Sequence, residues 1–205
     1  MRTALVNVLM VFMSLEMGAE RVTAQQQAAP AASKFKMMTS AYSDEDWMPV
    51  QYTCGVTDGS SPGVQWTDPP QGTRSFALIF HDTDTAPGNG AMDVTHWILW
   101  NIPASATQLP AGVQPDTSPD GIQQGKNARG VNGYQPPCPP VGARPHHYIF
   151  ELYALDTNLD LPAGSSRANL LGAMDGHVIG KASFVGIFGE GIDDRTWRWE
   201  ITKLP

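Results

Sequence analysis

The sequence has few cysteines and few basic residues, and each shortage excludes a class of protein. Its 205 residues include two cysteines, Cys54 and Cys138, with neither a CxxC pair nor the Cys/His spacing of a zinc site. Lysine and arginine total 13 against 20 aspartates and glutamates, which gives a net charge of -7. Because nucleic-acid binding usually needs an excess of positive charge to displace counterions, no nucleic-acid partner is expected.

Long hydrophobic runs are also scarce. The first one extends from Ala4 to about Leu15, which is too short to predict a transmembrane helix. A preceding arginine and a small-residue pattern ending at Ala24 predict a signal peptide over residues 1–24, with a frayed amphipathic helix as the alternative. The Gln/Ala/Pro-rich tract 25–34 predicts a disordered linker. We therefore expect an exported protein, either periplasmic or secreted.

The two cysteines have two possible states. If the chain is exported, Cys54 and Cys138 can form a disulfide, because disulfides persist in oxidising compartments. Two buried free thiols are the alternative, since sequence alone does not fix the distance between the side chains.

The length and the turn residues predict one β-rich domain over residues 35–205. The chain is too short for two domains of usual size, and its 20 glycines and 17 prolines interrupt long helices. Short runs rich in aromatic and aliphatic residues predict strands: KFKMMTSAY (34–42), PVQYTC (49–54), SFALIFHD (75–82), HWILWNIP (96–103), HHYIFELYAL (146–155) and TWRWEI (196–201). The three middle runs are apolar at nearly every position, which predicts strands covered on both faces.

One helix is predicted over residues 166–175. Ser165 or Ser166 can cap its amino terminus, and Gly176 stands where a glycine often ends a helix. Its predicted buried stripe contains three apolar residues: Leu170, Leu171 and Met174.

Polar residues cluster at the ends of the apolar runs. Asp82 and Asp84 follow the 75–82 run, whereas His96 opens the next one, on the same predicted face as Ile98 and Trp100. If these two strands are antiparallel neighbours, the end of one lies beside the start of the other. His96 would then meet the two aspartates.

A third segment leads to the same place. The Gly/Pro-rich loop before residue 146 feeds a strand on which His146 and Tyr148 share a face, while His147 points away. Three loop glycines suit close backbone approach to a ligand: Gly130, Gly133 and Gly142. Four of the five histidines lie in these three segments, which favours a functional site. Taken alone, His96 is an even choice between a core and a site residue, whereas Asp84 favours a turn role and His81, Tyr134 and Tyr148 favour structural roles.

Three kinds of chemistry fit such a site. Aspartate and histidine can bind a metal, but no HExxH or similar pair is present, so no metal or other cofactor is expected. Histidine can act as a general base, but no GxSxG elbow occurs, so an enzyme is not expected and an ester or phosphate hydrolase is the minor alternative. Histidines oriented by carboxylates can instead bind an anion, which is the hypothesis we favour.

Two quoted stretches carry a resemblance to a known family. HDTDTAPGNGAMDVTHWILWNIP and GYQPPCPPVGARPHHYIFELYALD resemble the two signature regions of the phosphatidylethanolamine-binding protein family. The similarity continues in YTCGVTDGSSPGVQW and in LLGAMDGHVIGKASFVGIFG, so it covers about residues 35–190.

The resemblance implies a fold and a binding pocket. It implies a mainly β fold of two antiparallel sheets with Greek-key connections and small peripheral helices. By motif position, the pocket should contain Asp82, Asp84, Pro87, His96, Tyr134, His146 and Tyr148. The expected partners are a small phosphorylated or carboxylated ligand or a phospholipid head group. An alternative is an inhibitor or scaffold that acts on a protease or kinase through the pocket rim.

Overall fold

The fold is described from a computed structural model that covers residues 34–57, 59–85, 91, 93–115 and 121–191. Several sequence predictions lie outside the described residues: the signal peptide, nearly all of the linker, Pro87 and the strand candidate 196–201.

Strands account for most of the regular structure. In chain order they are β1 (Lys36–Met38), β2 (Asp46–Trp47), β3 (Val64–Thr67), β4 (Ser75–Asp82), β5 (Val94–Pro103), β6 (Gln108–Leu109), β7 (Gln123–Gln124), β8 (His146–Leu155) and β9 (Val178–Phe188). One α-helix, α1 (Arg167–Met174), and one 3-10 helix (Val50–Tyr52) accompany them. Neither of these described helices is long and apolar enough to cross a membrane.

The strands form two sheets. The smaller has the order β1-β3-β6, and the larger has the order β2-β9-β8-β4-β5-β7. The prediction of a mainly β fold with two sheets and little helix is confirmed. Its antiparallel character has one exception, because β2 pairs with β9 in the parallel sense.

The central strand β4 is buried along its whole length, as its continuous apolar sequence predicts. Phe76 and Phe80 face the core that the larger sheet shares with Val64 and Trp66 of the smaller sheet. Ile79 faces the other way, into a second cluster that includes apolar residues of α1. Because both faces of β4 are covered, its polar side chains lie at the two ends of the strand.

Helix α1 follows the prediction closely, with one correction. Ser166 caps the helix in a capping box with Asn169, and Gly176 has a φ of 78° just past its end. Leu170 is fully buried, but Leu171 is 38% exposed, so the prediction that Leu171 belongs to the buried stripe is wrong. The helix is short and rests on the sheet by one narrow face.

A second correction concerns the PVQYTC run, which was predicted as a strand. Residues Val50–Tyr52 form a 3-10 helix instead. Pro49 has a φ of -58° and its carbonyl accepts from the Tyr52 N-H, while the Thr53 hydroxyl donates to the Val50 carbonyl. These local bonds close a turn that competes with strand pairing.

A β-bulge near the start of β5 changes the direction of His96. Phe80 pairs with Trp97, but the next β4 residue, His81, pairs with Thr95, so His96 is an extra residue in the ladder. The bulge brings the His96 ring to 5.5 Å from that of Phe80, between ring centroids. The prediction that His96 shares a face with Ile98 and Trp100 is therefore wrong, and the bulge moves it to the Asp82 side.

Candidate functional site

A pocket of about 580 Å³ lies where β4 ends and β5 and β8 begin. Four of the predicted site residues line it: Asp82, Asp84, His96 and His146. The convergence predicted from antiparallel pairing is thus present, since Asp82 is opposite Val94 on β5 and Tyr148 on β8.

Asp82 and His146 form a buried pair at the floor of the pocket. Nδ1 of His146 donates to Oδ2 of Asp82 at 2.8 Å. His146 is 7% exposed and Asp82 is 4% exposed. Oδ1 of Asp82 accepts from the Asp84 N-H, and Oδ2 also accepts from the Thr85 hydroxyl at 3.3 Å. Both oxygens of Asp82 are therefore occupied, and the carboxylate orients His146.

Asp84 is held by three donors at the pocket edge. The Arg144 guanidinium donates to one carboxylate oxygen, and the His147 N-H and ring Nδ1 donate to the other at 2.7 and 2.9 Å. Burial by itself raises the pKa of Asp84, but the bonds from His147 and the charges of His147 and Arg144 outweigh it and lower the pKa. The ionised Asp84 carboxylate therefore connects the end of β4 to the start of β8.

His96 is 3% exposed and is fixed by the loop that covers β5. Its Nδ1 lies 2.8 Å from the carbonyl oxygen of Gln135. Burial lowers the pKa of this imidazole, and Arg129 adds to the decrease, while the Gln135 bond and Asp82 oppose it. The environment of His96 therefore favours the neutral ring.

The two predicted tyrosines occupy different places. Tyr148 is fully buried, its ring meets the His96 ring edge-on at 5.3 Å, and its hydroxyl has no partner among the described residues. Burial raises its pKa, with Asp82 and Asp84 adding to the increase. Tyr148 therefore lies beneath the site, and its phenol group is neutral.

Tyr134 belongs to a different cavity. Its hydroxyl donates to the Tyr52 carbonyl at 2.7 Å, and its ring stacks on Phe80 at 5.6 Å. It lines a separate pocket of about 250 Å³ beside Ser60 and Ser61. The hydroxyl is bonded to the 3-10 helix, and on this geometry Tyr134 does not line the Asp/His pocket that was predicted to include it.

The three loop glycines do not form a ligand cradle either. The Gly130 and Gly142 N-H groups donate to the carbonyls of Asn127 and Glu190. A Cβ at Gly133 would lie 2.7 Å from the Pro115 side chain, so this glycine permits packing between loop segments. The prediction that these glycines expose backbone to a ligand is not supported by the positions they occupy.

Sequence reasoning missed several residues that do line the pocket. Arg129 brings a guanidinium that makes no ion pair with a carboxylate among the described residues, and Thr85 and Gln135 add polar groups. An arginine within the Gly-rich loop was a usable signal for Arg129. No sequence signal identifies Gln135, because it acts on His96 through its backbone.

The cysteines pair and form part of the pocket wall. Cys54 and Cys138 form a disulfide with Cα atoms 5.3 Å apart, so the tentative pairing is confirmed and the free-thiol alternative is not. Cys138 lines the pocket together with Pro139 and Pro140. Beside the disulfide, the Cys54 N-H donates to the Pro137 carbonyl at 3.0 Å.

His81 lies on the other face of β4 and outside the pocket. Its Nδ1 is 2.6 Å from Asp93, which also binds Arg167 of α1. Its Nε2 is 3.6 Å from Glu151, which binds Lys181. This ion-pair network fixes the start of α1 to the sheet and was not predicted, although the structural role expected for His81 agrees with it.

The observed contacts are relevant to the two alternative kinds of chemistry, metal binding and hydrolysis. Among the described residues, the close group of three potential metal ligands is Cys54, Cys138 and Glu190, in which the sulfurs are bonded to each other. The Thr85 hydroxyl lies 3.4 Å from Nδ1 of His146, but that nitrogen already donates to Asp82 and cannot act as a base toward it.

The fold and the site together define the class of protein: it is mainly β, with two sheets and a pocket of histidine and aspartate residues at the strand ends. The family model for phosphatidylethanolamine-binding protein matches residues 38–189, and the chain belongs to this family.

Relatives and solved structures agree with this assignment. A UPF0098 protein of Methanothermobacter thermautotrophicus is 44% identical over 159 residues, covering 76% of this chain and 99% of the relative. The UPF0098 protein YbcL of Escherichia coli is 40% identical over 123 residues, covering 58% of this chain and 63% of YbcL. The crystal structure of a phosphatidylethanolamine-binding protein homologue from Chlamydia trachomatis superposes with a TM-score of 0.69 at 33% identity, covering 78% of this chain and 99% of that one.

Proposed function

We propose that this protein binds small oxyanions, such as a phosphate or carboxylate group on a small molecule or a lipid head group, in the Asp/His pocket and without catalysis. The observation that carries the proposal is the distribution of charge. Both pocket carboxylates are engaged by the protein itself, Asp82 by His146 and Asp84 by Arg144 and His147. The Arg129 guanidinium and the imidazoles are left to face a ligand.

Export is part of the same proposal. The Cys54–Cys138 disulfide supports it, because such bonds are rare where glutathione and thioredoxin keep thiols reduced. We propose that the protein acts in the periplasm or outside the cell. Mass spectrometry of the mature chain, with and without reductant, tests cleavage after Ala24 and the disulfide together.

The test of anion binding is a thermal-shift titration with phosphate, phosphorylethanolamine and acetate. A ligand at one hundred times its Kd stabilises the native state by about 2.7 kcal/mol, which raises the Tm of a protein of this size by about 5–10 °C. His146→Ala should abolish the shift. His177→Ala is the matched control, because His177 is an exposed histidine that pairs with Asp156 at the end of α1. No shift with any anion, or equal shifts in wild type and His146→Ala, would refute the proposal.

A second candidate function is inhibition of a protease or kinase through the pocket rim. The rim segment carries Val141, which is 75% exposed, and Arg144, whose side chain is 69% exposed. Such a pair suits contact with another protein. Inhibition of a panel of serine proteases and kinases by the purified protein, weakened in Val141→Asp, would support this role. The absence of inhibition across the panel would count against it.

A further inference from the structure

The hydrogen bonds of His96 fix which ring nitrogen carries its proton. Nδ1 lies 2.8 Å from the Gln135 carbonyl oxygen, and a carbonyl oxygen can only accept. Nδ1 must therefore carry hydrogen, and Nε2 of the neutral ring is a lone pair. His96 lines the pocket, and no partner for Nε2 is found among the described residues, so this nitrogen is the one left to meet a ligand.

His146 repeats the arrangement with a different acceptor. Its Nδ1 donates to Oδ2 of Asp82, so its Nε2 is likewise the nitrogen left for the pocket. When the His96 ring is neutral, its Nε2 offers an incoming oxyanion a hydrogen-bond acceptor only. An oxyanion also brings acceptors only, and two lone pairs cannot bond to each other without a proton between them.

The charged and titratable groups around His96 come from every element packed against it. Asp82 and Asp84 lie at the end of β4, His146 and Tyr148 on β8, and Arg129 and Tyr134 in the covering loop, with His81 on the opposite face of β4. Burial lowers the pKa of His96, Arg129 and His81 lower it further, and Gln135 and Asp82 act against them. At neutral pH, before an anion binds, His96 therefore lacks the second proton.

We propose that the pocket binds an oxyanion together with one proton, which lies between an anion oxygen and Nε2 of His96. This inference rests on the proposed anion-binding function. The proton comes from the ligand when that carries an O-H group, or from solvent otherwise. No bond other than that to the proton changes. The preferred ligand class is thus a phosphate-type anion with its second pKa near neutrality, about 6 for a phosphate monoester.

The inference has a direct consequence for pH. Sulfate and a fully ionised phosphate monoester such as phosphorylethanolamine carry no O-H group, so each should take up one proton from solvent when it binds above pH 7.5. By linkage, the Kd for either anion should then rise about tenfold for each unit of pH. At pH 6, where a phosphate monoester supplies the proton itself, it should bind more tightly than sulfate.

Isothermal titration calorimetry at pH 8, in HEPES and in Tris, measures the number of protons taken up. Wild type titrated with sodium sulfate or with phosphorylethanolamine should take up one. His96→Gln places an amide near the position of Nε2, where its N-H can donate without a proton from solvent, so any binding that remains should show no uptake. His177→Gln is the control and should match wild type.

The outcomes separate the two proposals. Binding by wild type without proton uptake would overturn the inference and leave the proposed function intact. Uptake of one proton by His96→Gln would show that the proton lies elsewhere and would overturn the role of His96. No binding of either anion between pH 5.5 and 8 would overturn the proposed function. The wild-type proton count decides the inference even if His96→Gln does not fold.

Discussion

Loss of the Cys54–Cys138 disulfide should lower the stability of the protein by about 4.6 kcal/mol, with little effect on the pocket. The disulfide links residues 84 apart in sequence. Cross-linking removes loop-closure entropy from the unfolded chain, and the chain-entropy relation for a loop of this length gives about 4.6 kcal/mol at 25 °C. Two hydrogen bonds hold the pocket wall in place without the disulfide. The Cys54 N-H donates to the Pro137 carbonyl, and the Tyr134 hydroxyl donates to the Tyr52 carbonyl. Anion affinity should therefore change less than about threefold, well within 1 kcal/mol.

Guanidinium unfolding followed by tryptophan fluorescence measures the effect on the free energy of unfolding. Reduced wild type and Cys54→Ala/Cys138→Ala should lose the same amount, and reductant should not alter the double variant. A loss below about 1 kcal/mol in both would refute the loop-entropy argument. A loss in the variant alone would show that the substitutions, and not the missing link, cause it.

Further predictions concern packing and pH. Gly125→Ala should destabilise the fold by about 1–3 kcal/mol, because its Cβ would lie 2.4 Å from both a side-chain carbon and a backbone oxygen. Gly172→Ala in α1, where a Cβ meets nothing within 4 Å, should instead stabilise it by about 0.5–1 kcal/mol, and urea unfolding of both variants checks the contrast. Leu170→Ala should cost about 2–5 kcal/mol and Leu171→Ala under about 1 kcal/mol, and equal losses would contradict the burial pattern. The pKa of Asp84 is lower in the folded chain than its ordinary 3.8, so its charge adds stability above that pH and the contribution is lost as pH falls through the folded value. Asp84→Asn should therefore flatten the acid limb of a plot of Tm against pH, and an unchanged limb would contradict the argument.

The central strand β4 could be predicted from sequence because burial on both faces dictates its composition. The prediction that β8 is likewise covered on both faces is wrong, because its residues alternate between buried and partly exposed. The bounds predicted for β4 and β8 are those observed, since both segments are rich in apolar and aromatic residues and are bounded by turn residues. Antiparallel pairing of these strands with β5 then brings Asp82, His96 and His146 together. The core of the site follows from patterns that a sequence displays.

The remaining site geometry depends on tertiary contacts that leave no local pattern. Tyr134 resembles a pocket residue in sequence, but its hydroxyl is directed by the carbonyl of Tyr52, 82 residues away. Gln135 acts through its backbone, which any residue would supply. The 49–54 run has strand-like composition, yet Pro49 and Thr53 close a 3-10 turn by bonds within the segment.

The bulge at His96 and the covering loop explain each other. An extra residue in β5 leaves backbone carbonyls that do not fit a regular ladder, and the loop supplies their donors: Gly125 N-H to Ile98, Ala128 N-H to Thr95, and Gln135 N-H to His96. These donors do not follow the order of the carbonyls along β5, so the loop must turn away after Ala128 and return at Gln135. That excursion contains Arg129, which explains how a charged side chain reaches the pocket.

Gln135 then connects the irregular backbone to the chemistry of the site. Its N-H donates to the His96 carbonyl at 2.8 Å, and its own carbonyl accepts from Nδ1 of the His96 ring at 2.8 Å. The first bond stabilises the bulge that turns His96 toward Asp82, and the second fixes the imidazole with its Nε2 lone pair in the pocket. A regular ladder would have directed His96 to the α1 side of the sheet, so the site exists because one loop residue bonds to both the backbone and the ring of His96.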